Sequence, residues 1–387
     1  MNGEDIFKAI ISGQFDNPLG DALRSGLGLL SKGYQAGIRK RNQTYDAGRG
    51  VYHSSVPIIS VGNITAGGTG KTPMVRYICD LLAQEGYQPT VVTRGYKAQN
   101  NKHSLMIAHQ GHLLVEPSVS GDEAFLLAKA LPESSVIIGR SRTESAQMVE
   151  AKGESNVIIM DDGFQHRALG RDADIVLIDA SNPFGYGHVL PRGLLREPLE
   201  GLGRASALVL TKVDQVAPGV VGQVIKQLKV YAPNVPIAQT VHGPEALYTL
   251  EDWLHGCNPM APDRAKDKKV IAASGIGNPR SFYMTLDSLG YSVVDLMSYP
   301  DHHDFTNDDL VNMWEHAFAK GAEAICITEK DAVKLSQLQA ADDLKLPQWG
   351  KAESKKLPIY VLTIGIHFVD GERELKNHIN SVVHSVV

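Results

Sequence analysis

Thr65-Ala66-Gly67-Gly68-Thr69-Gly70-Lys71-Thr72 stands between an apolar run at 56–61 and a helical pattern at 73–85. Glycines at such a place let the chain turn tightly and aim its amides at phosphate oxygens, while the helix start adds partial positive charge. In this strand-loop-helix setting Lys71 is the residue that reaches the β- and γ-phosphates of a nucleotide, and the Thr72 hydroxyl is the one that holds Mg²⁺. The position usually held by the first glycine of such a loop is Thr65, and Gly67 with Gly68 supply the freedom instead. A plain glycine-rich turn has no need of Gly-Lys-Thr, so residues 65–72 are read as a nucleotide-binding loop.

On either side of this loop, short apolar runs at 89–93, 136–138, 157–160, 175–178 and 207–210 alternate with helical patterns, among them 122–131. Strands alternating with helices predict a mostly parallel sheet covered on both faces. A second series follows, with strands expected at 270–273, 292–296 and 324–328 and helices near 279–289 and 307–319. Residues 235–241 are the expected crossing point, and 357–362 another strand. The predicted fold is α/β, a P-loop NTPase-like parallel-sheet domain with a second, smaller α/β domain.

A phosphate loop needs an acid for its metal, normally at the end of a neighbouring strand. Val157-Ile158-Ile159-Met160-Asp161-Asp162 supplies a doubled one, and Ile175-Val176-Leu177-Ile178-Asp179 a single one. The doubled acid favours Asp161 and Asp162. Asp122 and Glu123 after Gly121 suit a base and a metal ligand, but a helix N-terminus attracts acids for dipole reasons alone, so both readings stand. Asp301-His302-His303-Asp304 is a poor zinc site because adjacent side chains diverge. A histidine there is better suited to orient, or share a proton with, a carboxylate. Thr211-Lys212-Val213-Asp214 resembles the guanine-reading element of P-loop GTPases, which makes a GTPase serving as a metal or cofactor chaperone the alternative. Against it, neither Asp161 nor Asp179 is followed by Gly at the third position after the acid.

The chain has 387 residues, enough for two or three domains, and 43% hydrophobic with 21% charged residues is the composition of a folded globular protein. A formal charge of −5 gives no global field to gather nucleic acid, so no nucleic-acid partner is expected. Cys79, Cys257 and Cys326 are far apart and predict a reducing compartment. No apolar stretch approaches the ~18–20 residues of a membrane span, and no signal-peptide pattern is expected. Residues 24–49 are locally basic, with Arg24, Lys32, Arg39, Lys40, Arg41 and Arg49 against Asp46. Leu23, Leu27, Leu30, Tyr34 and Ile38 recur on one helical face. Such a helix suits either an anionic membrane surface or the body of the protein, and the two uses are compatible.

These motifs together resemble the tetraacyldisaccharide 4'-kinase (lipid A 4'-kinase) family over about residues 56–335. The resemblance is carried by Val61-Gly62-Asn63-Ile64-Thr65, Thr93-Arg94-Gly95-Tyr96, Gly121-Asp122-Glu123 and Asp161-Asp162-Gly163-Phe164-Gln165-His166. It continues through Leu195-Arg196-Glu197-Pro198, Ser274-Gly275-Ile276-Gly277-Asn278-Pro279, Asp301-His302-His303 and Thr328-Glu329-Lys330-Asp331-Ala332-Val333-Lys334. It implies an enzyme that transfers the γ-phosphate of ATP, with Mg²⁺, to the 4'-hydroxyl of a lipid A disaccharide precursor. The implied location is peripheral, on the cytoplasmic face of a bacterial inner membrane; no oligomeric state follows. It implies Lys71, Asp122 and His302 as catalytic groups, Thr72, Glu123, Asp161 and Asp162 around the metal, and Arg94, Tyr96, His166, Arg196 and Glu197 along the cleft. The organisation expected is a membrane-associating helical segment (1–50), an ATP-binding kinase domain (51–235) and a smaller domain closing the cleft (236–387).

Overall fold

The computed structural model describes residues 3–96, 98, 103–301, 303–339 and 357–384. Their strands are β1 (Ile58–Asn63), β2 (Pro89–Thr93), β3 (Leu105–His109), β4 (His112–Leu113), β5 (Ser135–Ile138), β6 (Val157–Asp161) and β7 (Ala173–Asp179). Then come β8 (Ala207–Thr211), β9 (Ile237–Thr249), β10 (Lys269–Ser274), β11 (Ser292–Ser298), β12 (Ala324–Thr328) and β13 (Ile359–Asp370). The helices are α1 (Gly3–Ser12), α2 (Pro18–Asp46), α3 (Lys71–Gln84), α4 (Pro117–Ser120), α5 (Asp122–Lys129) and α6 (Arg142–Lys152). They continue as α7 (Pro218–Tyr231), α8 (Leu250–His255), α9 (Pro279–Ser288), α10 (Asn307–Ala319), α11 (Glu329–Gln339) and α12 (Glu372–His384).

All the strands belong to one sheet, in the order β11-β10-β12-β13-β9-β8-β7-β1-β6-β2-β5-β3-β4. The inner strand β1 runs parallel to β6 on one side and β7 on the other, and every one of its residues is buried. That is why 56–61 reads as a mostly apolar run, interrupted only by Pro57 and the buried Ser60, rather than as an alternation. Both strand series expected from the sequence are present, at the two ends of this sheet. They meet in the antiparallel pair β9–β13, where Thr249 lies opposite Tyr360 and Gln239 opposite Asp370. The pair is much longer than the runs 235–241 and 357–362 suggested. The ladder continues through Gly243 and Pro244, residue types that weaken or end a strand. A register shift between Thr363 and Ile364 leaves Glu245 as an extra residue between the Pro244 and Ala246 pairings, so a proline without an N–H is tolerated there.

One face of the loop half is packed by α3, whose Met74, Val75, Ile78, Cys79 and Leu82 are buried against Ile59, Val61, Val157 and Ile159. Each such side chain contributes about 1.5–3 kcal/mol by leaving water. The last helix, α12, returns to this same core through Leu375, Ile379, Val382 and Val383. The far half has its own core, in which Ile271, Ile325 and Val361 pack with Phe305, Leu310, Met313 and Val333.

Helix α2 has only Gly20, Ser31 and Ile38 buried. The Ser31 hydroxyl donates to the Val189 carbonyl at 2.7 Å and accepts from the Arg192 amide at 2.9 Å. Of the face expected to be apolar, Ile38 packs on the body while Leu23, Leu30 and Tyr34 face outward, beside exposed Leu19 and Leu29. Among the described residues no helix is long and apolar enough to cross a membrane. All three cysteines are unpaired, with Cys79 and Cys326 buried and Cys257 exposed.

Candidate active site

The phosphate loop leaves β1 at Asn63, whose side-chain amide donates to the Thr65 carbonyl at 2.7 Å. Thr65 is bridged to Leu195, and the Ala66 amide donates to the Leu194 carbonyl at 2.7 Å. The first two positions of the motif are thus anchors, while Gly67, Gly68, Thr69, Gly70, Lys71 and Thr72 form the wall of a cavity of about 780 Å³. Gly70 has φ 87°, a conformation that favours glycine, and a Cβ there would run into the His242 ring. Helix α3 starts directly after it with no side chain capping its first turn. Its leading N–H groups are left for an anion.

Opposite the loop, β6 ends in the two acids. Successive strand residues point to opposite faces, but Asp162 has φ 52°, and this left-handed turn re-aims its carboxylate. Asp161 accepts from the Thr93 hydroxyl at 2.8 Å. Asp162 lies 3.4 Å from Lys71 Nζ and accepts from Arg196 Nη1 at 2.8 and 3.0 Å. Burial pushes the Asp161 carboxyl upward. Burial acts on Asp162 in the same direction, but Lys71 and Arg196 outweigh it and hold the group below the ordinary carboxylate range. Lys71 also donates to Asn63 Oδ1 at 3.3 Å. Two adjacent acids therefore have different partners, a hydroxyl for one and two cations for the other.

Arg94, Tyr96, Glu123 and Arg196 stand in the same wall, joined from the far half by Ile276, Ser281, Phe282, Thr285, Thr328, Glu329 and Lys330. Lys330 Nζ comes within 3.9 Å of Glu123, so the two halves meet across the cavity. Asp122 opens α5 one residue earlier; it is half-buried and is not part of the wall. Glu197 lies behind the wall, fully buried, and accepts two hydrogen bonds from Arg204 at 2.8 and 2.9 Å and one from Gln165 at 3.0 Å. His166 is also set back, and burial together with the nearby Arg142 charge pushes its pKa down to about 4, so the ring is neutral at pH 7. His302 lies outside the described residues. Its neighbour His303 is committed to structure, with its ring hydrogen-bonded to Asp309 at 3.1 Å and its carbonyl accepting from Lys334 at 2.7 Å.

Residue-type reasoning missed several members of this site. Arg142 is 4% exposed, reaches the cavity wall, and donates to the Gly139 carbonyl at 2.6 Å and the Asp161 carbonyl at 3.3 Å. Burial lowers its pKa to about 10, which leaves it charged at neutral pH. Its place after the N-cap residue Ser141 makes it look like an ordinary first-turn residue of α6. Asn63, Thr93 and Gln165 orient the named residues, and Gln165 Nε2 donates to the Asn63 carbonyl at 3.0 Å.

Thr72, Glu123, Asp161 and Asp162 offer hydroxyl and carboxylate oxygens, the donor set that suits a hard cation. Among the described residues no three His, Cys, Asp or Glu side chains are grouped to hold an ion unaided. Mg²⁺ commonly takes only one or two carboxylates and completes its shell with phosphate and water, so this donor set fits a metal that arrives with a nucleotide.

The family model described as tetraacyldisaccharide-1-P 4'-kinase (LpxK) matches residues 23–384. The tetraacyldisaccharide 4'-kinase of Halothermothrix orenii is 38% identical over 317 residues, which cover 80% of this chain and 79% of that protein. The enzyme of the same name from an Anaeromyxobacter species (strain Fw109-5) is 38% identical over 316 residues, covering 81% and 83%. The crystal structure of LpxK from Aquifex aeolicus in complex with ATP matches with a TM-score of 0.73 at 31% identity, covering 93% of this chain and 99% of that one. The chain belongs to the tetraacyldisaccharide 4'-kinase family.

Proposed function

We propose that this chain is an ATP-dependent kinase that transfers the γ-phosphoryl group to the 4'-hydroxyl of a tetraacyldisaccharide 1-phosphate, a lipid A precursor. The observation that carries this reading is the meeting of the uncapped α3 N-terminus, Lys71 and the Asp161–Asp162 pair in one cavity closed by residues of the far half. Transfer is direct and in line, and the protein contributes position and charge. Lys71 and Arg196 neutralise charge on the moving phosphoryl group. Thr72, Glu123, Asp161 and Asp162 would hold the Mg²⁺ that arrives with the nucleotide, which would supply charge neutralisation on the phosphates, and Asp162 also sets the two cations. Asp122, assisted by His302, accepts the proton of the sugar hydroxyl. Arg94 and Tyr96 line the sugar side, with His166 set back behind the wall.

The acceptor is a lipid, and α2 is suited to meet its surface at the cytoplasmic face of the inner membrane. Leu19, Leu23, Leu29 and Leu30 are exposed along it. Tyr34 on the same helix donates to the Arg196 carbonyl at 3.2 Å, so the apolar face runs beside the cleft.

The test is phosphate transfer from ATP to detergent-dispersed tetraacyldisaccharide 1-phosphate. Wild-type chain should give the 4'-phosphorylated product, and Asp122→Asn should lose roughly 10²–10⁴ in turnover with ATP affinity nearly unchanged. No product from the wild-type chain would sink the function. Wild-type turnover by Asp122→Asn would sink only the assignment of the base.

A further inference from the structure

A loop that turns its N–H groups toward a phosphate turns carbonyls away from it, and those carbonyls need donors of their own. Two of them find side-chain donors in one short segment at the end of β8. Lys212 Nζ donates to the Gly68 carbonyl at 2.8 Å, and the single Thr211 hydroxyl proton is shared between the Thr69 carbonyl at 3.1 Å and the Ile178 carbonyl at 3.3 Å. Lys212 has φ 58°, a left-handed conformation that a lysine holds only when its surroundings demand it. The same ammonium is ion-paired with Asp179 at the end of β7. The other Asp179 oxygen accepts from the Ser181 amide at 2.9 Å and the Ser181 hydroxyl at 2.6 Å, so the acid is itself fixed. Burial alone would raise this carboxyl, but the Lys212 and Ser181 hydrogen bonds hold it below the ordinary range. Neither Thr211, Lys212 nor Asp179 reaches the cavity wall.

We propose that Thr211 and Lys212, held by Asp179, are positioning residues that clamp the outward carbonyls of the phosphate loop and so preset its inward amides for ATP. The inference rests on residues 65–72 being the ATP phosphate site. It gives the Thr211-Lys212-Val213-Asp214 motif a use that does not require guanine. A loop with glycine at 67, 68 and 70 has extra backbone freedom to lose on binding, and the clamp removes part of that freedom before ATP arrives. Its effect therefore belongs in ATP affinity, not in affinity for the lipid acceptor.

Steady-state kinetics on the full chain test this, varying ATP and acceptor in turn, with thermal melts of each variant in the absence of nucleotide. Lys212→Met keeps the aliphatic stem and removes the donor, so the KM for ATP should rise about tenfold while the KM for acceptor holds, the melting temperature falling only by what the unpaired Asp179 costs. Lys212→Arg keeps donors within reach of the same carbonyl and should recover most of the loss. Thr211→Val should shift the KM for ATP in the same direction, and Thr211→Ser should not. An unchanged KM for ATP in Lys212→Met overturns the clamp, as does a parallel loss of melting temperature and of both KM values, which marks a merely structural lysine. Lys71→Ala separates the two levels. If Lys71→Ala binds and uses ATP like wild type, the phosphate-loop reading has failed. If it is inactive while Lys212→Met behaves like wild type, the clamp alone has failed.

Discussion

Arg196 and Glu197 are neighbours in the chain and opposites in their work. Arg196 reaches into the cavity wall and grips Asp162, while Glu197 turns away, fully buried, to hold Arg204 and Gln165. Arg196→Ala should therefore lower turnover by roughly 10²–10³, as expected of a group that stabilises developing charge, and leave the melting temperature nearly unmoved. Glu197→Ala strands the Arg204 guanidinium, so it should cost about 3–5 kcal/mol of stability, read as a clear fall in melting temperature. Equal thermal losses in the two variants would overturn this division. The pair also shows what residue types reveal. A loop such as 65–72 announces its chemistry because few other contexts need Gly-Lys-Thr, and the doubled acid 161–162 marks a strand end. Burial does not show in a one-dimensional pattern. Arg142 and Glu197, both buried, cannot be told from surface charges in sequence, and the opposed partners of Asp161 and Asp162 depend on a single positive φ.

The inner parallel strands were legible because both of their faces are covered, which makes them mostly apolar. The β9–β13 ribbon was legible only at one end of each strand, because Gly243 and Pro244 interrupt the pattern where a register shift accommodates them. Strand β3 begins with the apolar run Leu105-Met106-Ile107-Ala108, which residue-pattern reasoning missed, while β4, only His112–Leu113, is too short to carry a signal. Helix α2 was legible in period but not in orientation, since a periodic apolar face is compatible with packing inward or outward. Its outward Leu19, Leu23, Leu29 and Leu30 and its basic side chains make membrane docking testable. Replacing Arg39, Lys40 and Arg41 together with Ser should weaken co-sedimentation with anionic liposomes by about 1 kcal/mol per residue near the surface. Transfer to a short-chain, detergent-dispersed acceptor should change much less. If both assays fall equally, the segment is structural and the docking reading fails.

Across the whole molecule the two halves share one sheet, and Glu329 occupies the place where they join. It begins α11 in the far half and lines the cavity. Arg76 of α3, Glu245 of β9, the Ile364 amide of β13 and Trp253 of α8 all act on it, and burial, the largest influence, raises its pKa to about 7. An acid whose folded pKa lies above its unfolded value favours the folded state below that unfolded value, near 4.5, and loses this contribution as pH rises through about 7. Other groups complicate the raw profile. Burial raises Asp80, beside Arg76, to about 6, an effect of the same sign. Burial also lowers His166 to about 4, which acts oppositely, because the unfolded chain takes up that proton first as pH falls. The difference between wild type and Glu329→Gln isolates the one carboxyl, since the remaining groups are common to both. Gln fills the same space without a charge to bury. The variant should match wild type in melting temperature near pH 4.5 and exceed it by a few degrees at pH 8, with the gap opening between those limits. A gap that is constant with pH would mean that Glu329 does not titrate there, and a gap that closes as pH rises would reverse the sign of the argument.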